Sequence, residues 1–198
     1  MKIYGDRLSG NCQKVGITAD FLQIPYQWID VDIARNESRT QAFLGKSPMG
    51  QVPIVEFEDG RVLAQSNAII RYLASGSSLL PVDPFLQAKV DELLFWEQYS
   101  HEPYVATSRY HMVYLGRSKA EREAWRVERG EKALDLMQAL IKGKMWFVGD
   151  SLSVADIALL SYTRLAHEGG FDLGNRPNVR AWVRRAEEAL GLPPAEVR

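Results

Sequence analysis

The sequence contains almost no cysteine and no surplus of either charge. Cys12 is the only cysteine among the 198 residues, so the chain cannot form an internal disulfide bond. The 24 basic and 25 acidic side chains give a formal net charge of -1. Because surfaces that bind nucleic acid or anionic membranes carry an excess of basic residues, this composition favours neither partner. We expect small, roughly neutral molecules as partners instead.

Long apolar runs are also missing. No stretch approaches the roughly 20 apolar residues that cross a bilayer, so we expect no membrane partner. The first residues form a strand-like segment and lack the basic and apolar regions of a signal peptide, which indicates a cytoplasmic protein. A hydrophobic content of 46% is enough for one sizeable core or two small ones.

The first third of the chain alternates between strand and helix patterns. A helix is predicted to follow an N-cap at Ser66, and Asp59-Gly60 predicts a hairpin turn. The resulting order is βαβαββα. The predicted strands span residues 2–4, 26–31, 52–57 and 61–63, and the other predicted helices span 11–23 and 40–44.

The rest of the chain has helical patterns. A segment rich in Gly, Ser and Pro at residues 75–84 indicates a domain boundary. Beyond it, Ser153 to Asp156 has a capping-box pattern with Asp in place of the usual Glu or Gln. We therefore predict an α/β domain over residues 1–76 and an all-helical domain over residues 85–198. Predicted helices span residues 85–115, 119–141 and 179–190, and another begins after the capping box.

A short polar stretch, Leu8-Ser9-Gly10-Asn11-Cys12, joins the first strand to the first helix. Ser9 could cap the helix or form a turn, or it could donate to an anion held by the unpaired N–H groups of the first turn. Lowering the pKa of a ligand thiol by two units requires about 2.7 kcal/mol. One hydrogen bond to a charged group contributes roughly 1.5 to 3 kcal/mol. One hydroxyl is therefore enough to hold a thiolate.

Two other side chains near this stretch are candidates for sulfur chemistry. Cys12 lies in the first turn of the predicted helix, where its pKa would fall and it could act as a nucleophile. Burial is the simpler interpretation, since free cysteine is among the residue types most often buried. The Tyr4 hydroxyl could donate to a thiolate, although a position on a central strand favours packing in the core.

A second group of residues suits an extended peptide ligand. Val52-Pro53 begins a strand, where proline removes a backbone donor unless the bond is cis. A cis bond would turn the Val52 backbone outward to pair with a ligand as an added strand does. Gln65-Ser66 at the start of the next helix is suited to a carboxylate.

Three stretches together resemble the cytosolic glutathione transferase family. The resemblance covers essentially the whole chain and is to bacterial members with a serine motif like that of the theta and zeta classes. It implies an α/β thioredoxin-like N-terminal domain plus an all-α C-terminal domain, glutathione as co-substrate, no metal, and a homodimer. The stretches are SGNCQKV at 9–15, SPMGQVPIVEFEDGRVLAQSNAIIRYL at 47–73 and SLSVADIALLSY at 151–162.

The resemblance also implies residue roles. Ser9 would stabilise the glutathione thiolate with Asn11 as a catalytic helper, and Val52 would pair with the cysteinyl backbone beside a cis Pro53. Gln65 and Ser66 would hold the γ-glutamyl end, whereas Arg39 or Lys46 would contact the glycine carboxylate. The implied glutathione-binding residues are Ser9, Arg39, Lys46, Gln51, Val52, Pro53, Gln65 and Ser66.

The helical domain is expected to carry the electrophile site and part of the dimer interface. Residues 99–104 place polar groups and a helix-disturbing proline midway along an aromatic-rich helix. Aromatic residues at helical spacing are most often core. Tyr104, Arg109 and Tyr110 are nevertheless our candidates for acceptor contacts. His101 or Glu102 could reach across the dimer interface toward the γ-glutamyl amine.

The resulting hypothesis is an enzyme of detoxification that conjugates the glutathione thiolate to small hydrophobic electrophiles. Two alternatives remain at this point: glutathione-dependent disulfide or peroxide reduction through Asn11 or Cys12, and a non-catalytic protein-binding module with this fold. The stretch differs from the SSCSWRVR-like signature of maleylacetoacetate isomerases at Gly10, Asn11 and Gln13. Beta- and omega-class members place their catalytic cysteine close to the position of Ser9. Cys12 lies three residues later, so it does not match that position.

Overall fold

A computed structural model describes residues 1–195 of the chain. They divide into two compact units, Met1–Ser77 and a second unit that begins at Ser78. The end of the predicted helical domain, residues 196–198, lies outside the described residues. Within residues 1–195, none of the helices is long and apolar enough to cross a membrane.

The first unit is a mixed four-stranded sheet with helices. The strand order is β2-β1-β3-β4, with β1 parallel to β2 and every other pair antiparallel. This order confirms the predicted thioredoxin-like α/β architecture. The elements are β1 (Lys2–Gly5), α1 (Gly10–Phe21), β2 (Gln27–Asp30), a 3-10 turn (Glu37–Arg39), α2 (Gln41–Leu44), β3 (Ile54–Glu56), β4 (Val62–Ala64) and α3 (Ser66–Leu73).

Alternation along the central strands decides which side chains enter the core. Ile3 pairs with Val55 in the sheet, and both side chains are fully buried. The α1 residue Val15 and the α3 residue Ile69 are fully buried as well. Each such aliphatic side chain contributes about 1.5 to 3 kcal/mol through burial. Tyr4, the next residue of β1, instead packs with Phe43 in a second cluster.

The β3-β4 hairpin confirms the turn predicted at Asp59-Gly60. The Phe57 N–H donates to the Arg61 carbonyl at 2.9 Å, and Gly60 adopts a φ of 81°, which glycine tolerates without strain. The next boundary differs from the prediction. Ser66 is the first helical residue, and Gln65 occupies the N-cap with a φ of 72°.

The second unit is helical within the described residues. Its long predicted helix is one rod with a π-helical turn in the middle, just before Pro103. Its charged helix begins later than predicted, after a 3-10 turn. The elements are α4 (Pro84–Trp96), a π-helix (Glu97–His101), α5 (Glu102–Val113), a 3-10 turn (Lys119–Glu121), α6 (Ala124–Leu140), α7 (Val154–Thr163), a 3-10 turn (Ala166–Gly169) and α8 (Pro177–Ala189).

Helix α7 lies at the centre of the second unit, and every one of its residues is buried. The predicted capping box at its start is confirmed, because the backbone N–H and hydroxyl of Ser153 both contact Asp156 Oδ2 at 3.0 Å. Asp156 Oδ1 accepts from the Phe147 N–H at 3.1 Å and from Trp182 Nε1 at 3.0 Å. Burial raises the pKa of Asp156, and these hydrogen bonds oppose that effect.

Candidate functional site

Ser9 occupies the N-cap position of α1 with an extended backbone. Its carbonyl accepts from the Gln13 N–H at 2.9 Å, which starts the helix. Among the described residues, its hydroxyl caps none of the first-turn N–H groups and instead hydrogen bonds with Cys12. The side chain is partly exposed. A hydroxyl therefore stands beside first-turn N–H groups and the positive end of a twelve-residue helix.

Cys12 is a core residue. Its side chain is fully buried against β1, where a Cβ added at Gly5 would lie 2.9 Å from Cys12 Sγ. Burial raises the pKa of the thiol to about 12, although hydrogen bonds with Ser9 and the Asp6 backbone oppose the shift. The thiol stays protonated at physiological pH. This counts against Cys12 as a nucleophile and favours the packing interpretation.

Asn11 and Ser66 meet where the N-termini of α1 and α3 approach each other. The Ser66 hydroxyl donates to Asn11 Oδ1 at 3.1 Å, and Ser66 is only 5% exposed. One turn further along α1, the ammonium of the buried Lys14 donates to Asn67 Oδ1 at 3.2 Å. Two polar contacts therefore fix the register between the helices. No pattern in the sequence predicts the burial of Lys14, since lysine is usually exposed.

The peptide bond between Val52 and Pro53 is cis, as predicted. Val52 is half-buried, and Pro53 is buried at the start of β3. Gln65 lies beside the preceding loop, because its amide donates to Gln51 Oε1 at 3.4 Å and to Met49 Sδ at 3.5 Å. The structure thus brings together Gln51 and Gln65, which are fourteen residues apart in the sequence.

Arg39 lies along the loop that leads into Val52. Its guanidinium donates to the Met49 carbonyl at 3.2 Å. Gly50 has a φ of 61°, and a Cβ added there would lie 2.7 Å from Arg39 Nη1. The positive φ favours glycine at this position, and the missing side chain leaves room for the arginine. The exposed Arg39 cation therefore lies against Met49 and Gly50, the two residues that precede Gln51 in the chain.

Lys46, the other candidate for a ligand carboxylate, forms an ion pair within the first unit. Its Nζ lies 2.8 Å from Glu56 Oε2 and 5.3 Å from the centre of the Tyr4 ring. The same carboxylate oxygen accepts from the Tyr4 hydroxyl at 2.6 Å. Hydrogen bonds from Lys46 and Tyr4 lower the pKa of Glu56, and the hydrogen bond with Glu56 raises the pKa of Tyr4.

These contacts also argue against Tyr4 as a thiolate donor. Its hydroxyl hydrogen is used by Glu56, and the raised pKa of Tyr4 makes the phenol a weaker acid. Partnerships of this kind depend on which residues the sheet brings side by side. The sequence positions of Tyr4 and Glu56 are 52 apart, so no local pattern reveals the contact.

In the helical unit, the candidate acceptor contact Tyr104 is partly exposed and lies beside a surface depression. Its hydroxyl accepts from Arg129 Nη1 at 3.0 Å, and its ring meets the edge of Trp125 at 6.3 Å. Tyr104 borders a depression of about 250 Å³ that is also lined by Trp96 and Leu136. Sequence patterns give no signal for Arg129 or Trp125, because both lie more than twenty positions away.

Tyr110 and Arg109 have different surroundings although they are adjacent in the sequence. Tyr110 is exposed and stacks on Tyr114 with 5.0 Å between ring centres. Arg109 is buried, and its Nε lies 2.6 Å from Glu168 Oε2. Packing of α5 against the turn at Ala166–Gly169 encloses the Arg109 side chain, which counts against its proposed contact with an acceptor.

The surroundings of His101 count against a role in reaching a partner subunit. His101 is fully buried, and its Nε2 lies 3.1 Å from the Thr163 hydroxyl of the same unit. It ends the π-helical turn and is held against α7. Within residues 1–195, no group of three or more His, Cys, Asp or Glu side chains is arranged to hold a metal ion.

Comparison with known proteins gives matches over both units. The family model described as "Glutathione S-transferase, N-terminal domain" matches residues 8–75, and "Glutathione S-transferase, C-terminal domain" matches residues 95–189. The chain is 28% identical to glutathione S-transferase GstB of Escherichia coli K12, over 94% of this chain and 92% of that protein.

Solved structures are similar over the same extent. A glutathione S-transferase from Pseudomonas fluorescens has a TM-score of 0.90 and 45% identity, covering 94% of each chain. A glutathione transferase homologue from Drosophila mojavensis, solved with bound glutathione, has a TM-score of 0.85 and 29% identity, covering 94% of this chain and 87% of that one.

Proposed function

Because the chain belongs to the glutathione S-transferase family, we propose that it joins the glutathione thiolate to small hydrophobic electrophiles, with Ser9 stabilising the thiolate. The observation that carries this assignment is the position of Ser9. Its partly exposed hydroxyl stands at the N-terminus of α1 and, within residues 1–195, caps none of the first-turn N–H groups. The neighbouring Cys12 thiol stays protonated, so it can donate to Ser9 Oγ and leave the hydroxyl hydrogen for an anion beside the helix dipole.

The glutathione site lies in the first unit. Val52 pairs with the cysteinyl backbone as an added strand does, next to the cis bond to Pro53. Gln65 and Ser66 hold the γ-glutamyl end at the first turn of α3. Gln51 lies beside Gln65 and completes this side of the site.

The glycine carboxylate is assigned to Arg39 alone. The close approach to Gly50 and the bond to the Met49 carbonyl support this choice, because they hold a cation along the loop that leads into Val52. Lys46 already balances the negative charge of Glu56. To contact the glycine carboxylate, Lys46 would have to break that ion pair. An arginine also offers several donors in one plane, which suits a carboxylate.

The chemical step needs a thiolate and an electrophilic carbon. The bound thiol loses its proton to solvent, and the Ser9 hydroxyl with the α1 N-terminus stabilises the sulfur anion. The sulfur lone pair then forms a C–S bond with the acceptor. In a displacement reaction, the leaving group departs with its bonding electrons. In an addition reaction, the acceptor takes up a proton from solvent.

Tyr104 and Tyr110 are the proposed acceptor contacts. Tyr104 borders an open depression that combines aromatic and aliphatic side chains with the cations Arg129 and Lys132, and Tyr110 presents an exposed ring. Aromatic rings of this kind suit apolar substrates. We therefore propose small hydrophobic electrophiles as the substrate class and detoxification as the role.

We also propose that the protein is a cytoplasmic homodimer. Phe95 on α4 and Tyr99 on the following π-helix are 76% and 83% exposed, and aromatic residues are enriched at interfaces. A buried lone thiol with a raised pKa fits a protein that carries no disulfide. Sedimentation at several protein concentrations tests the dimer.

Two measurements test the proposed activity. Wild-type protein should be retained on immobilised glutathione and should convert a chloronitrobenzene-type electrophile to its thioether. Retention without turnover would favour the alternative of a non-catalytic binding module. Turnover of a disulfide or a peroxide in place of the aryl halide would favour glutathione-dependent reduction, with Asn11 rather than the buried Cys12 as the residue to test.

A further inference from the structure

We propose that Asn11 is a positioning residue for the γ-glutamyl end of glutathione, acting through its hydrogen bond with Ser66, and that it does not serve the sulfur. This inference rests on the proposed function. It changes the expected role of Asn11, which the resemblance assigns to the thiolate. The observation behind it is the 3.1 Å bond from the Ser66 hydroxyl to Asn11 Oδ1.

Helix geometry separates Asn11 from Ser9. Positions two apart on a helix point to different sides, whereas positions three apart share a face. Asn11 and Lys14 are three apart, and their side chains contact the adjacent α3 residues Ser66 and Asn67. The Asn11 side chain therefore leaves α1 on the face that meets α3. Ser9 starts the helix from another side and hydrogen bonds with Cys12.

The bond to Asn11 also decides which way the Ser66 hydroxyl points. A serine hydroxyl has one hydrogen and two acceptor lone pairs. Since Asn11 Oδ1 takes the hydrogen, Ser66 Oγ presents its lone pairs, and the neighbouring first-turn N–H groups of α3 remain as donors. An acceptor next to donors matches the amino acid head of a γ-glutamyl group, whose ammonium donates and whose carboxylate accepts.

Burial makes this orientation persistent. Ser66 is only 5% exposed, so few water molecules compete with Asn11 for the hydroxyl hydrogen, and the small exposed part remains for the ligand head. Removing the Asn11 amide would release the rotation of the Ser66 hydroxyl at the place where the ligand head binds. We therefore expect the variant to lose its preference for thiols that carry a γ-glutamyl group, whereas thiolate formation should be unaffected.

The test compares two thiols that share the same reacting group. Glutathione carries the γ-glutamyl group, whereas cysteinylglycine lacks it. The ratio of kcat/KM for glutathione to kcat/KM for cysteinylglycine is measured with one aryl halide for wild type, Asn11→Ala, Ser66→Ala, the double variant and Ser9→Ala. We expect Asn11→Ala to lower this ratio about fivefold, the effect of one hydrogen bond. Ser66→Ala should lower it at least as much, and the double variant should lose no more than Ser66→Ala alone.

Ser9→Ala is the contrasting variant, because it should reduce kcat/KM for both thiols alike and leave their ratio unchanged. Asn67→Ala is the matched control, since it removes the other polar contact between α1 and α3 and should also leave the ratio unchanged. Thermal unfolding of each variant shows that it is folded, and Ser66→Ala probes the same bond from its other end.

The proposal is overturned if Asn11→Ala reduces turnover of both thiols equally and shifts the acid limb of the pH profile, because Asn11 would then act at the sulfur. An equal fall in the ratio for Asn67→Ala would also overturn it, since loosened helix packing would explain the effect. These outcomes differ from failure of the proposed function, in which wild type forms no thioether with either thiol.

Discussion

Lys46 and Glu56 form an ion pair with 2.8 Å between Nζ and Oε2. The pair spans the end of α2 and the end of β3, and the Tyr4 hydroxyl donates to the same carboxylate. Arg39, the other basic candidate in this part of the chain, instead lies along the loop before Val52. The two cations therefore have different expected effects on glutathione binding.

Arg39→Ala should raise KM for glutathione about tenfold or more, because a hydrogen bond to a charged group contributes roughly 1.5 to 3 kcal/mol. Lys46→Ala should leave KM for glutathione within about twofold, since its charge serves Glu56. Steady-state kinetics with glutathione as the varied substrate measures both. A larger effect for Lys46→Ala than for Arg39→Ala would contradict the assignment of the glycine carboxylate.

Native Cys12 should react very slowly with iodoacetamide at pH 8. Burial raises the pKa of its thiol from 9.0 to about 12, so the thiolate fraction is about a thousandfold lower than in the unfolded chain. Mass spectrometry of alkylated protein, with and without urea, compares the two states. Equal rates in both states would show that the thiol is accessible and ionised.

The same group makes stability depend on alkaline pH. Because the folded pKa of Cys12 lies above the unfolded value of 9.0, its contribution to folding is complete below pH 9 and decreases as pH rises toward about 12. Wild type should therefore lose about 1.4 kcal/mol more stability per pH unit in this window than Cys12→Ala. Urea titrations at pH 8, 9.5 and 10.5 give the slopes, and comparing slopes cancels the cavity that alanine leaves. Parallel slopes would contradict the raised pKa.

Asp156→Ala should destabilise the helical unit by about 3 to 5 kcal/mol. The variant leaves the Phe147 N–H and Trp182 Nε1 buried without their acceptor, and each such group costs about 1 to 3 kcal/mol. Asp150→Ala is a suitable control, because Asp150 is exposed and close by in the sequence. Urea unfolding measures the difference, and similar stabilities of the two variants would contradict a structural role for the capping box.

Substitutions at Arg109 and Tyr110 should have different effects, the first on protein stability and the second on acceptor binding. Arg109→Met removes a buried partner of Glu168 and should cost about 2 to 3 kcal/mol of stability, with KM for the electrophile little changed. Tyr110→Ala should raise KM for the electrophile with little change in stability, because its ring is exposed. The reverse pattern would return Arg109 to the acceptor site.

Features that depend on neighbouring residues could be predicted from the sequence. The hairpin at Asp59-Gly60 and the capping box from Ser153 to Asp156 follow from local turn and cap chemistry, and both are present. The N-cap of α3 is Gln65, one residue before the predicted position at Ser66. The positive φ of Gln65 places the start of the helix at Ser66. Sequence pattern gives no direct sign of such a backbone conformation.

Features that depend on distant packing could not be predicted. The ion pair of Lys46 depends on where β3 ends relative to α2. Arg109 is enclosed because Gly169 lets a turn approach α5 closely, and a Cβ at Gly169 would lie 3.0 Å from the Arg109 backbone nitrogen. The contact between Asn11 and Ser66 joins residues 55 positions apart. Candidate site residues can thus be selected from residue type, but their roles depend on these partners.

The most direct measurement is the pKa of glutathione bound to the protein, followed by thiolate absorbance near 240 nm as pH is varied, for wild type and Ser9→Ala. One hydrogen bond to the sulfur anion contributes roughly 1.5 to 3 kcal/mol, so we expect the pKa of the bound thiol to rise by about one to two units in Ser9→Ala. The Cys12→Ala variant should have the wild-type value, because its own thiol is buried. An unchanged pKa in Ser9→Ala would contradict the assignment of thiolate stabilisation to Ser9.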